Sequence, residues 1–108
     1  MRLPRARLDQ VLNRFHEVEA RMGAAADGAE AVRLAKEYAE LRPVAEAAER
    51  LARLQTQREE LEALAAGEDA EMAELAGEEL NALNETEPGL EREVALLLAP
   101  RDGGGGAR

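Results

Sequence analysis

Groups able to do chemistry are numerous in one class only, the carboxylates, and their spacing suits a wet helix surface better than a site. Asp and Glu total 23 against 14 Lys and Arg. Acid–base work by a pair of carboxylates requires burial and a specific neighbour that sets their two pKa values apart. Glu59, Glu60 and Glu62 stand in one run and Glu78 and Glu79 in another, with little apolar surround, so they predict a solvated acidic face. A di-metal bundle would need Glu-x-x-His on inward faces. The single histidine, His16, flanks an apolar stripe rather than occupying it, and is expected at the surface. Cysteine and serine are both absent, which removes disulfides, thiolate ligands and the commonest nucleophiles. The glycines from Gly103 to Gly106 follow no strand and open no helix, so they form no phosphate cradle. No catalytic residue, cofactor or metal site is expected, and no enzyme.

The elements that would hold any binding surface are easier to read. Aromatic residues are confined to Phe15 and Tyr38, and isoleucine is absent. Ala, Glu, Leu and Arg dominate, the residues that lose least on entering a helix. The fold class expected is all-α, an antiparallel bundle of three long helices with coiled-coil-like packing. In the first helix, about Arg5 to Met22, the residues Leu8, Val11, Phe15, Val18 and Met22 alternate by threes and fours, and Gly23 can end it. A loop with Asp27-Gly28 follows. The second helix, about Ala29 to Ala66, carries Leu34, Tyr38, Leu41, Val44, Ala48 and Leu51, then Leu54, Leu61 and Leu64, with Arg58 taking one seam position. Pro43 lies inside it, and an interior proline costs about 3 kcal/mol, so a kink or a short break is expected there. Asp69 is a plausible N-cap for a third helix over 70–98. Its stripe of Ala73, Ala76, Leu80, Leu83, Leu90, Val94 and Leu97 is interrupted where Glu87 takes a seam position. That interruption adjoins Pro88-Gly89, where a bend or local unwinding is expected. Residues 1–100 would form the domain and 101–108 a flexible glycine-rich tail.

Charge is unevenly distributed. Residues 1–57 hold ten basic and nine acidic side chains, whereas 58–93 hold two and thirteen. So acidic a segment repels phosphate backbones and is a poor nucleic-acid reader. Arg2, Arg5 and Arg7 form the one basic cluster, expected to be a solvated helix start. No apolar run reaches 18 residues and the first residues lack a signal-peptide core, which predicts a soluble, cytoplasmic chain with no membrane partner.

Three segments in order carry a resemblance: LDQVLNRFHEVEARM, LAKEYAELRPVAEA, and DAEMAELAGEELNAL with LEREVALLLAPRD. Together they resemble the N-terminal helical domain of bacterial class I peptide chain release factors, in the release factor 1 branch, over roughly residues 8–102. The second segment, with its Tyr and Pro, is the most specific match. The resemblance implies a domain that docks on the large ribosomal subunit near the stalk base and meets the recycling GTPase release factor. In that family the codon-reading and Gly-Gly-Gln segments lie in later domains, and neither is found among these 108 residues. An excised domain, a truncated product or a degenerate copy is implied, without release activity of its own. Tyr38 and Arg42 are the candidate partner-binding residues, although Tyr38 also falls on the seam. The alternative is a stand-alone acidic helical adaptor or an oligomerising coiled coil, motivated by the stripe over 73–97. Pro43, Pro88 and Gly89 oppose a long straight coiled coil. Phe15, as the largest apolar side chain, is expected to anchor the first seam.

Overall fold

The computed structural model describes residues 2–25 and 27–99. The expected tail, 101–108, and Pro100 lie outside the described residues. Three helices follow one another: α1 (Arg5–Gly23), α2 (Gly28–Ala65) and α3 (Ala70–Leu98). No strand occurs among the described residues, so the all-α reading holds.

Local chemistry accounts for the boundaries. Pro4 stands at the N-cap of α1, where its missing N–H costs nothing. Asp27 caps α2 by accepting from the Glu30 N–H at 2.8 Å, and Asp69 caps α3 by accepting from the Met72 N–H at 3.2 Å. Each cap satisfies a donor that the first helical turn leaves unpaired. The Asp27 cap starts α2 one residue before the sequence expectation.

Both interior prolines are absorbed without a break. α2 is continuous through Pro43 and α3 through Pro88-Gly89, so neither a chain break at the first nor unwinding at the second occurs. The prolines are exposed, and so are Ala39 and Asn84, whose carbonyls lose the i+4 donor. Water can satisfy those carbonyls, which removes most of the cost of the missing bond.

α2 is the spine. Its 38 residues give a length of about 57 Å, close to the 60 Å long axis of a molecule only 17 Å thick. α1 and α3 each pack along α2. Contacts run in opposite order on both sides, Arg14 to Glu37 and Arg5 to Thr56 for α1, Arg50 to Glu93 and Arg58 to Glu87 for α3. Both neighbours are therefore antiparallel to α2. They overlap only along its middle, where one cluster joins Leu8 and Val11 of α1, Val44, Ala47, Ala48 and Leu51 of α2, and Val94 of α3. Leu8, Leu51, Val18 and Val94 are the largest fully buried side chains. Beyond that waist the molecule is two helices thick: α1 with α2 at one end, α2 with α3 at the other.

Candidate functional site

The two residues singled out from sequence share one groove. Leu12, Phe15 and His16 of α1, with Tyr38, Arg42, Ala45, Glu46 and Glu49 of α2, line a cleft of about 240 Å³. Tyr38 and Arg42 are one turn apart on α2, and Leu12, Phe15 and His16 share one face of α1, so the antiparallel pairing brings them together. The Phe15 and Tyr38 rings stack at 4.8 Å with an interplanar angle of 24°. Both residues are half-buried, so Phe15 edges the seam rather than anchoring it, contrary to the expectation. His16 is exposed, as expected, with its ring 6.0 Å from that of Phe15.

Arg42 stands on the open side of the cleft. Its Nε donates to Glu46 Oε2 at 3.1 Å, a hydrogen bond that raises the guanidinium pKa further. Deeper toward the loop, Arg14 donates to Glu37 Oε2 from Nε at 2.8 Å and to Glu17 Oε1 from Nη1 at 3.2 Å. Glu37 first and Glu17 second raise its pKa. Both arginines remain charged over any working pH. The cleft thus offers an aromatic pair, one exposed cation and two glutamates. That set can recognise a surface; it contains no nucleophile–base pair. No group of three metal-ligating side chains occurs among the described residues.

The structure pairs two residues that the sequence left as separate irregularities. Arg58, 7% exposed, and Glu87, 2% exposed, meet between α2 and α3. Arg58 Nε donates to Glu87 Oε1 at 2.8 Å, and its Nη2 donates to the same oxygen and, at 2.8 Å, to Asn84 Oδ1. The signal was present: Arg58 is one heptad beyond Leu51, and Glu87 one heptad before Val94, the two large side chains that meet in the waist. A second buried carboxylate, Glu91, accepts from the Leu3 N–H at 3.2 Å. Arg5 departs from the solvated start expected of it, donating to Gln55, to the Ala52 carbonyl and to Thr56. Gln55 donates in turn to the Leu3 carbonyl at 2.9 Å. Residues 3–5 are therefore strapped across α2 and α3, whereas Arg2 and Arg7 are exposed. The acidic runs at Glu59, Glu60, Glu62, Glu78 and Glu79 are exposed throughout.

Fold and site define an all-α domain built along one long central helix, with an aromatic and arginine-lined groove between α1 and α2. The PCRF domain family matches residues 11–105, and the chain belongs to that family. It is 66% identical over 102 residues to peptide chain release factor 1 of Caulobacter vibrioides, covering 94% of this chain and 28% of that protein. It is 52% identical over 102 residues to the factor of the same name from Maricaulis maris, covering 94% of this chain and 29% of that protein. The corresponding protein of Erythrobacter litoralis is 44% identical over 106 residues, with 94% and 28% covered. The chain thus spans less than a third of the length of the curated relatives it matches. No solved structure matches it. No helix among the described residues is long and apolar enough to cross a membrane.

Proposed function

We propose that this chain is the ribosome-docking domain of a translation termination factor of the release factor 1 type, acting in the cytoplasm. The observation that carries the proposal is the 66% identity over 94% of the chain to a peptide chain release factor 1. Its partner is the large ribosomal subunit near the stalk base, with the recycling GTPase release factor as a second partner. The domain positions and does not catalyse: its 108 residues contain no Gly-Gly-Gln and its cleft holds no nucleophile–base pair. The groove of Tyr38 and Arg42 supplies the docking contact, Tyr38 through the ring edge left open by Phe15 and Arg42 through its exposed guanidinium. The net charge of −11 over 58–93 directs the α2–α3 end away from ribosomal RNA.

The test is competition with intact release factor 1 for large subunits. The chain is expected to displace it at high concentration, and Arg42→Glu to weaken that displacement without changing thermal unfolding. Failure to compete at any concentration would remove the docking role. A second reading, an oligomerising acidic adaptor, is favoured by the exposure of Leu64, Met72 and Leu75 at the α2–α3 end. Light scattering decides it, because a strict monomer at high concentration excludes oligomerisation.

A further inference from the structure

We infer that α3 is two units joined by a hinge at Pro88-Gly89, and that Arg58 is the clamp holding the first unit closed on α2. The two buried carboxylates of α3 lie on either side of that dipeptide and are tied to different parts of the molecule. Glu87, on the near side, is held by Arg58 of α2; Glu91, on the far side, is held by the Leu3 N–H of the N-terminal strap. The far unit, 89–98, is fixed by Val94 within the apolar waist, with Leu90, Leu97 and Leu98 packed against it. The near unit, 70–87, has little such anchorage. Its one buried apolar side chain is Ala76, while Ala73, Leu80 and Leu83 are half-buried.

The hinge is weak by composition. Pro88 gives Asn84 no backbone donor, and Gly89 is the residue with the most backbone freedom to recover on opening. Arg58 spans this place by gripping both Asn84 and Glu87, the turn that leads into the proline. The clamp is also incompletely satisfied. Glu87 Oε2 is buried without a hydrogen-bond partner in the protein, and a buried carboxylate oxygen left unpaired opposes closure. Opening hydrates both charges and uncovers the seam of Leu61, Leu80 and Leu83. The arm is thus poised to open about Pro88-Gly89 while the waist stays intact.

Amide hydrogen exchange on the full chain tests this. Arg58→Leu should speed exchange over 70–87 by roughly tenfold or more, leaving that stretch far less protected than 8–18 and 90–98. A stiffened hinge, Pro88→Ala with Gly89→Ala, provides the control. Pro88 is exposed and a Cβ at Gly89 meets nothing within 4 Å, so the fold accepts both. In that background the Arg58→Leu effect on 70–87 should shrink several-fold, because the arm can then lift only by dragging the waist with it. The inference is overturned by an equal effect in both backgrounds, by 70–87 remaining as protected as 8–18 and 90–98, or by no change at 70–87.

Discussion

The waist and the α2–α3 arm solve the same packing problem with different materials. In the waist, three helices close over an apolar cluster of Leu8, Val44, Leu51 and Val94, with the buried Glu91 and its Leu3 tie at the margin. One heptad out from the waist, later in α2 and earlier in α3, the same seam positions hold an arginine and a glutamate. Apolar burial is non-directional and tolerates small shifts, whereas a buried ion pair holds only while both partners stay in place. The waist therefore supplies stability, and the arm supplies a contact that is either made or lost as a whole. Their prolines differ in the same way. Pro43 is followed at once by buried Val44, Ala45, Ala47 and Ala48, which pin the helix beyond it. Pro88 is bracketed by Glu87 and Glu91, whose polar ties must do that work.

The sharpest break of this comparison is Arg58→Leu, which strands Glu87 inside the arm. A cost of about 3–5 kcal/mol is expected, measured by denaturant unfolding, and Glu87→Leu combined with it should recover most of that loss. If the single change proved neutral, the arm would be held by packing alone, like the waist. Next comes Leu51→Ala in the fully buried waist, at about 2–5 kcal/mol, again by denaturant unfolding and with cooperative loss of all three helices. Phe15→Ala should cost about 2 kcal/mol, below the range for a fully buried ring, because the ring is half-buried and stacked on Tyr38. Its thermal midpoint should therefore fall less than that of Leu51→Ala. Smallest is Leu75→Ala near the tip of the arm, where the side chain is 53% exposed. Its effect on stability should stay within about 0.5 kcal/mol, and a larger loss would mean that the tip is packed against something.

Much of this architecture was legible because heptad spacing reports directly on which residues face inward. Leu34, Val44, Ala48, Leu51, Ala76 and Val94 all stand where the stripes placed them. Asp69 was readable as a cap because its chemistry is local. Leu64 was read as continuing the α2 stripe yet is exposed, because the alternation through buried Arg58 and Leu61 passes to half-buried Ala65. Phe15 was misjudged because its ring stacks on Tyr38 at the lip of the groove, whereas Val18, one turn on, is the side chain that enters the seam. Continuity at Pro43 and Pro88 depends on which way each ring and each freed carbonyl points, and that follows only once the buried faces are fixed. The groove of Tyr38 and Arg42 was legible in its members and not in its partners. The strap of Leu3 and Arg5 had no sequence signal, because its acceptors lie some fifty to ninety residues away.

That strap has a consequence for the order in which the molecule assembles. The bond from the Leu3 N–H to Glu91 joins residues 88 positions apart, while the α1–α2 and α2–α3 pairings each grow outward from a short connection. Closing a long loop costs more entropy than zipping a hairpin from its turn. A chain made from its N-terminus can therefore pair α1 with α2 before α3 exists, then fold α3 back along the spine. Leu3 and Arg5 can meet α2 as soon as it is paired, and only the bond from the Leu3 N–H to Glu91 must wait until most of α3 has arrived.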